Sequence, residues 1–459
     1  MDPMAYSTIM AIEDTSAGCL AHRIVRLLRE QGARAYLVGG CVRDLLLSRE
    51  PKDYDVATDA LPEQILRLFP HARQVGAHFG VMLVAEGRAQ VEVATFRSEH
   101  SYRDGRRPSH VEFETDPRRD VLRRDFTINA LLLDPESGAV LDFVGGRDDL
   151  GARLIRAIGD PETRLREDHL RMLRAVRFAA GLGFTVDPAT WSAIQRLHPL
   201  LRDVSAERTR DELVRILTEG GARRGFELLD ESKLLLEVLP EVAAMKGVAQ
   251  PLEFHPEGDV WIHTLMMLGA MRSPTPTLAL GVLLHDVGKP PTFRLEDRIR
   301  FNGHAEAGAR MAVEILGRLR FSTEEMRRVE ALVAGHLRFK DVEKMRDSTL
   351  KRFLRQPHFE EHLELHRLDC IASHGRLDHY DFLKAKLEEL PAETLQPPRL
   401  LTGHDLIRAG YRPGPAFQRM LEAVEDAQLE ARIRTPREAM ALVRSLFDPP
   451  DGSPKKACK

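Results

Sequence analysis

Residues 37–58 read LVGGCVRDLLLSREPKDYDVAT and place two glycines and two closely spaced carboxylates in one short segment. The apolar run before the glycines predicts a strand, and the helical spacing of the apolar residues after them predicts a helix. Gly39 and Gly40 let the backbone approach phosphate oxygens, and Arg43 can add a charged donor. We therefore expect a strand, a tight turn and a helix that bind a triphosphate, although simple packing also produces this pattern.

Two carboxylates in this stretch and a third further along the chain predict a metal site. On a strand, Asp53 and Asp55 point to the same face because they are two residues apart. Glu92 interrupts the apolar segment QVEVATF at 90–96, where a charge needs a partner or a metal ion. Each acid alone fits a solvated turn or an exposed strand face. Together, Asp53, Asp55 and Glu92 predict a catalytic pair of divalent metal ions for nucleotidyl transfer.

Composition sets looser limits. The 459 residues are 43% hydrophobic and 30% charged, and no run of eighteen apolar residues predicts a membrane span. The four cysteines lack metal-ligand or CxxC spacing, so we expect free thiols in a reducing, cytoplasmic compartment. The net charge of −3 gives no indication of nucleic-acid binding. We expect a soluble, multidomain protein, and its oligomeric state stays open.

Four motifs, in order and with their spacing, carry a resemblance to a known family. They read GGCVRDLLL, KDYDVAT, VEVATFR and RRDFTINALLLD. They resemble the head of class II tRNA nucleotidyltransferases and bacterial poly(A) polymerases, and the similarity continues to about residue 225. The resemblance implies an α/β head with a polymerase-beta-like palm, two Mg²⁺ ions, and tRNA, CTP and ATP as partners. It implies addition of CCA to tRNA, with poly(A) synthesis or addition of the terminal A alone as alternatives.

The resemblance also implies which residues bind the nucleotide. In the family an EDxxR motif reads the incoming base, and Glu167, Asp168 and Arg171 match it. Arg174 and Arg177 continue the row, so one helical face would carry a carboxylate acceptor and several guanidinium donors, which suits the edges of C and A. A surface helix with salt bridges explains the same spacing. The resemblance further implies that Arg124, Asp125 and Asn129 lie beside the sugar and phosphates. The full predicted set is Gly39, Gly40, Arg43, Arg124, Asp125, Asn129, Glu167, Asp168, Arg171, Arg174 and Arg177.

Residues 97–119 are rich in charge and turn residues and lack a long apolar period, so we expect a mobile loop, at least in part. In the family, a loop here helps the site switch from CTP to ATP, and enzymes that add only C tend to have a shortened loop. Asp104, Arg106 and Arg107 belong to an intact DGRRP sequence. The resemblance therefore favours an enzyme that can incorporate A.

A second group of motifs, between residues 254 and 376, resembles an HD domain. Histidines and carboxylates on adjacent helices suit a divalent metal ion, whose identity stays open. His304 and His336 could complete a second metal site or bind phosphate, and Lys289 matches the HDxGK form of active members. Buried core histidines are the alternative, and the domain could be a phosphohydrolase or a structural appendage. The candidate ligands, in the order H…HD…D, are His263, His285, Asp286 and Asp369.

Beyond residue 150 long helical periods replace alternating strands, and no regular repeat is visible. An HD phosphohydrolase or RNA-binding protein with an inactive head is the alternative from another functional class. The intact head carboxylates argue against it. We predict a nucleotidyltransferase head at 20–150, a helical neck for base recognition and RNA binding at 151–225, a helical body with the HD domain at 226–385, a helical tRNA-binding region at 386–447 and a disordered tail at 448–459.

Overall fold

The structure is a computed structural model that describes residue 12 and residues 14–75, 80–102 and 108–447. Its contacts divide the chain into two units, Met1–Ala244 with Ile315–Phe321, and Met245–Glu314 with Ser322–Lys459. The finer five-part division stays a prediction. The predictions about the DGRRP residues Asp104, Arg106 and Arg107 and about a disordered tail lie outside the described residues.

A mixed sheet forms the centre of the head. The strands of this region are β1 Ala35–Val38, β2 Asp55–Thr58, β3 Arg73–Gln74, β4 Val81–Glu86, β5 Ala89–Thr95, β6 Arg97–Tyr102, β7 Pro108–Phe113, β8 Leu132–Leu133 and β9 Val140–Leu141. Seven of them pair in the order β3-β4-β5-β2-β1-β8-β9. Only β2 and β5 run parallel to each other within this sheet. The predicted α/β head is thereby confirmed.

The helices of the first unit cover this sheet and continue beyond it. Thr15 caps the first helix by accepting a hydrogen bond from the Gly18 amide, and apolar residues four apart bury one face. The helices are α1 Ser16–Glu30, α2 Gly40–Leu46, α3 Pro62–Leu68, α4 Pro117–Leu122, α5 Gly146–Gly151, α6 Pro161–Glu167, α7 Arg171–Leu182, α8 Pro188–Leu197, α9 Ala206–Thr218, α10 Ala222–Glu231, α11 Leu234–Val238 and α12 Pro240–Ala243. Short 3₁₀ helices span Thr127–Asn129 and His198–Asp203. Helix α7 packs against α9 and α10.

The structure differs from the sequence prediction in the segment 97–119. Strands β6 and β7 form an antiparallel pair in which Ser98 stands opposite Glu112, so the loop prediction is wrong for these two strands. Their polar and charged residues hid the strands, because sequence patterns detect a strand by its apolar residues. The predicted helical neck also contains a short parallel pair, β10 Leu154–Ile155 and β11 Thr185–Val186.

The second unit is mainly helical, as predicted, with one short antiparallel pair, β12 Arg294–Leu295 and β13 Ile299–Arg300. Helix α14 is buried on every side from Thr277 to Leu284, so it lies inside the bundle. Within the part of the chain that the structure describes, the helices do not combine the length and the apolar composition that a membrane span needs. The helices are α13 Val260–Ala270, α14 Pro276–Leu284, α15 Lys289–Thr292, α16 His304–Arg318, α17 Thr323–Gly335, α18 Asp347–Leu354, α19 Phe359–Ala372, α20 Asp378–Glu389, α21 Ala392–Leu395, α22 Gly403–Arg408, α23 Pro415–Leu429 and α24 Pro436–Leu446. A 3₁₀ segment spans His336–Lys344.

Candidate nucleotide and metal sites

Three carboxylates meet where the second strand of the head begins. Asp55 opens β2 and stands opposite Glu92 in the parallel register with β5. Asp53 lies before the strand and not on it as predicted, because the partner strand β1 ends at Val38, opposite Asp55. Burial, Asp53 and Glu92 raise the pKa of Asp55 to about 7, and the nearby charge of Arg124 opposes this shift. The cluster is short of positive charge and therefore fits divalent cations.

Gly39 lies directly beside this cluster. Its φ of +83° belongs to the left-handed region, and a Cβ atom on it would stand 3.3 Å from Asp55 Oδ2 and 3.9 Å from Arg124 Nη1. A side chain here would therefore fill the space between a carboxylate and a guanidinium group. This space is where the sequence predicts phosphate oxygens.

Arg43 is less available than the sequence suggests. Its guanidinium group donates to Asp44 and, over 2.8 Å, to Asn129 Oδ1. It also lies 5.3 Å from the ring centre of Phe178. All these contacts are made by the protein, so Arg43 supports the wall of the site, and its predicted role as a phosphate donor stays a prediction.

Asp120 is a residue that the sequence analysis missed. It is 1% exposed and accepts hydrogen bonds from Arg123 Nη2 at 2.7 Å and from Arg124 Nη2 at 2.9 Å. Although burial opposes its ionisation, these two guanidinium groups hold the pKa of Asp120 at about 2. An acid three and four residues before two arginines was the available signal. Among the described residues Arg124 Nη1 makes no hydrogen bond, so it stays available to a ligand near Gly39.

Asp125 connects the head to the arginine row of α7. Its Oδ2 accepts from Arg174 Nε at 2.8 Å, and its Oδ1 accepts from the Phe126 amide at 2.8 Å and from Asn129 Nδ2 at 3.3 Å. Burial disfavours the charge, but Arg174 lowers the pKa of Asp125 to about 2. Asp125 and Asn129 are thus fixed next to each other, and their place beside the sugar of a nucleotide stays a prediction.

The EDxxR residues come together, but not on one helix as predicted. Glu167 ends α6, Asp168 has extended backbone with φ −144°, and Arg171 begins α7. The break occurs because Asp168 Oδ1 accepts from the Leu170 amide at 3.2 Å, a local bond that competes with the helix. Arg171 Nη1 donates to Glu167 Oε2 at 2.6 Å, which fixes its direction.

The next two arginines of the row, Arg174 and Arg177, form ion pairs with acids on α9 and at its C-terminal end. Arg177 Nε donates to Glu212 Oε2 at 2.7 Å, and Arg177 Nη1 donates to Glu219 Oε2 at 3.2 Å. Glu212 is buried and also lies 3.8 Å from Arg174 Nη1. Lys52, which precedes Asp53, pairs with Glu219 at 3.2 Å. The row is thus an ion-pair network and not the open ladder of guanidinium groups that the sequence suggested.

One cavity of about 850 Å³ joins these parts. It is lined by every predicted catalytic and nucleotide-binding residue except Glu167. The lining also contains residues that no sequence motif indicated, including Lys52, Arg208, Arg215 and Glu219. The cavity is large enough for a nucleotide, and its lining includes both the head carboxylates and the base-reading candidates Asp168 and Arg171.

The second unit contains a buried cluster of the predicted HD residues. His263 Nε2 lies 3.2 Å from Asp369 Oδ1, and His263 Nδ1 lies 2.7 Å from Glu257 Oε1. Burial alone would disfavour the charged ring, but Asp369 and Glu257 raise the pKa of His263 to about 9. His285 Nε2 lies 3.1 Å from Asp286 Oδ2. The four predicted ligands therefore lie in one place, as the H…HD…D pattern requires.

Two further histidines surround the same aspartate. His304 Nε2 and His336 Nε2 lie 3.6 and 3.9 Å from Asp286 Oδ1 and 3.3 Å from each other. The Nδ1 atoms of His285, His304 and His336 each contact the carbonyl oxygen three residues earlier, at 2.7 to 2.9 Å. Because a carbonyl oxygen only accepts hydrogen bonds, these contacts favour the tautomer with hydrogen on Nδ1, which leaves a lone pair on each Nε2.

These donors fit divalent metal ions. Three groups have ligand atoms that all lie within 4.8 Å of one another, namely His255, Glu257 and His263; His263, His285 and Asp286; and Asp286, His304 and His336. His285 Nε2 is buried and makes no hydrogen bond of acceptable geometry within the described residues. An orphaned imidazole nitrogen among carboxylates is a good metal ligand. Among the described residues, Asp53, Asp55 and Glu92 of the head do not form such a group.

Three family models match this chain. The "Poly A polymerase head domain" matches residues 35–156, the "Probable RNA and SrmB- binding site of polymerase A" matches residues 183–246, and the "HD domain" matches residues 260–372. The first match contains the carboxylate cluster of the head, and the third contains the predicted HD residues, whereas residues 157–182, with Asp168 and Arg171, lie between the first two matches. The predicted resemblance is thereby confirmed.

Relatives with known names support the same assignment. The CCA-adding enzyme of Lactobacillus johnsonii is 32% identical over 424 residues, which are 92% of this chain and 96% of that protein. The CCA-adding enzymes of Lactobacillus helveticus and Bacillus subtilis are 40% and 39% identical. Those two alignments span 62% and 65% of the relatives' own length, less than two thirds.

Solved structures show the same architecture. The Bacillus stearothermophilus CCA-adding enzyme in complex with CTP matches with a TM-score of 0.72 and 27% identity, over 94% of this chain and 98% of that chain. The Thermotoga maritima CCA-adding enzyme complexed with tRNA matches with a TM-score of 0.60 at 18% identity, and it shares the fold. The likeness thus extends beyond the head to the helical part of the chain.

Proposed function

This chain belongs to the family of CCA-adding enzymes, and we propose that it adds CCA to the 3′ end of tRNA from CTP and ATP without a nucleic-acid template. The observation that supports this most directly is the head cavity. Its lining combines a carboxylate cluster at Asp53, Asp55 and Glu92 with the polar side chains of Asp168 and Arg171. The first suits phosphoryl chemistry, and the second suits selection of a base.

The carboxylates would hold two divalent cations, for which Mg²⁺ is our proposal. Bound ions would neutralise the cluster, activate the 3′-hydroxyl of tRNA and stabilise the leaving pyrophosphate. The cavity is lined by Asp53, Asp55 and Glu92, so their negative charges are available to such ions. Gly39 leaves room for the triphosphate, and Arg124, held through Nε and Nη2 by Asp120, keeps Nη1 for its oxygens.

Base selection would depend on fixed hydrogen-bonding groups. Asp168 accepts from the exocyclic amine that C and A share, and Arg171 donates to ring acceptors. U lacks this amine, and G places its amine at a different position. Glu167 fixes Arg171 through a 2.6 Å bond, so the donors are already oriented before a nucleotide enters.

We expect Asp168→Ala to relax selection between CTP and UTP by about tenfold, because one hydrogen-bonding group of the base reader is lost. Folding should change little, since Asp168 is partly exposed. The measurement is kcat/KM for each of the four nucleotides on a tRNA that lacks CCA. If all four values fall by the same factor, the base-reading role of Asp168 is refuted and only a salt-bridge role remains.

The test of the proposed function compares three closely related activities. A tRNA lacking CCA is incubated with CTP alone, with ATP alone and with both, and the products are sized. We expect two added residues with CTP and three with both. A long A tail would indicate a poly(A) polymerase, and addition of A only to a primer ending in CC would indicate an A-adding enzyme. We propose that nucleotide addition takes place in the cytoplasm.

The second unit supports a second candidate function, a metal-dependent phosphohydrolase. The supporting observation is that three histidines, His285, His304 and His336, surround Asp286. The same aspartate is in contact with Lys289. Lys289 Nζ lies 2.6 Å from Asp286 Oδ2 and donates to Gln250 Oε1. A fixed cation beside metal ligands suits a phosphate substrate. We propose that this activity, whose substrate stays open, is separate from nucleotide addition.

A further inference from the structure

Asp168 is held by a residue that no sequence motif indicates. Arg208, in the first turn of α9, forms a two-point ion pair with it, with Nη1 donating to Oδ1 at 3.0 Å and Nη2 donating to Oδ2 at 2.7 Å. Both side chains line the head cavity and are only partly exposed, at 25% for Arg208 and 18% for Asp168. The ion pair is therefore part of the cavity and not a surface contact.

The ion pair matters because little else fixes the orientation of the Asp168 carboxylate. Asp168 lies in the extended link between α6 and α7, and its other hydrogen bond is the 3.2 Å contact of Oδ1 with the Leu170 amide. A bidentate guanidinium fixes both the position and the plane of a carboxylate. Without Arg208, the carboxylate would be free to rotate about its side-chain bonds.

The bond pattern leaves a defined place for a ligand. Oδ1 accepts two hydrogen bonds, whereas Oδ2 accepts one, from Arg208. A carboxylate oxygen has two acceptor positions, so one position on Oδ2 stays open in the described structure. An exocyclic amine can use it without displacing Arg208.

We propose that Arg208 is a positioning residue that sets nucleotide selectivity by orienting Asp168 toward the exocyclic amine of the incoming base. This inference rests on the proposed function. In this role Arg208 acts through Asp168, to which both of its terminal nitrogens donate, and needs no contact of its own with the nucleotide. Selectivity then depends on a bond between α9 and the α6–α7 link.

The test measures kcat/KM for CTP and UTP on tRNA lacking CCA, and for ATP and GTP on tRNA ending in CC. In Arg208→Ala we expect both selectivity ratios to fall about tenfold, with the KM for tRNA unchanged within about twofold. Arg208→Lys keeps the charge but loses the two-point geometry, so its ratios should lie between those of wild type and Arg208→Ala. Arg224→Ala, which removes exposed ion pairs with Glu227 and Glu231 on α10, is the matched control and should keep wild-type ratios.

Two results would overturn the inference while leaving the proposed function intact. One is an unchanged ratio in a folded Arg208→Ala protein that still adds nucleotides, and the other is an equal loss for all four nucleotides. If Arg208→Ala does not fold, the ratios of Arg208→Lys decide between these outcomes. A wild-type chain that adds neither C nor A would instead refute the proposed function, and the inference with it.

Discussion

Replacing Asp55 with Ala is expected to reduce nucleotide addition by at least about a thousandfold, or roughly 4 kcal/mol of transition-state stabilisation. Asp55 is the most enclosed of the three head carboxylates, and burial with Asp53 and Glu92 raises its pKa to about 7. A cation that relieves this repulsion would be lost with the carboxylate. Asp53→Ala should behave similarly. Single-turnover addition of C to tRNA lacking CCA gives the rate.

Folding provides the first control for this result. Because the folded protein holds Asp55 with a raised pKa, its charge costs stability at neutral pH, and Asp55→Asn should not lower the unfolding temperature. The affinity for tRNA should stay within severalfold of wild type. Asp148→Ala, an exposed acid in the first turn of α5, is the matched control and should retain full activity. Full turnover in Asp55→Ala would remove the metal assignment in the head.

Replacing His285 with Ala is expected to remove bound metal and any phosphohydrolase activity of the second unit, by more than about a hundredfold. His285 is 1% exposed, and its Nε2 faces Asp286 without an alternative hydrogen bond of acceptable geometry in the described residues. Nucleotide addition should persist, since the head carboxylates belong to the other unit. Metal content by mass spectrometry, phosphatase and 2′,3′-cyclic phosphodiesterase assays, and C addition are measured on one preparation.

Each of these readouts can contradict a different part of the assignment. Unchanged metal content in His285→Ala would mean that the histidine is a core residue. Loss of nucleotide addition in a folded variant would mean that the two activities are not separate. His404→Ala removes an exposed histidine on α22 and should leave metal content and both activities at wild-type values. Chelator treatment of the wild type should reproduce the loss of phosphohydrolase activity.

Local patterns explain why so much of the head could be predicted. The glycine turn before α2 and the acid-bearing strands β2 and β5 are encoded within short segments, where periodicity and backbone preference act directly. Glu92 could be singled out in advance because it interrupts the apolar residues of its segment, whereas its position opposite Asp55 follows from the parallel register of β2 and β5. The hairpin of β6 and β7 was missed because its strands lack the apolar alternation by which a strand is recognised in a sequence.

The sequence by itself determined the order of the motifs, the α/β head followed by helices, and the residue types that meet at both sites. Only the tertiary structure decided which charges pair. Asp168 pairs with Arg208, which is 40 residues away in the sequence, and Arg177 pairs with Glu212, which is 35 residues away. The same structure begins α7 at Arg171 and leaves Asp168 on an extended link. The physical reason is that an ion pair forms between groups that packing brings within a few ångströms, and sequence spacing does not encode that distance beyond a few helical turns.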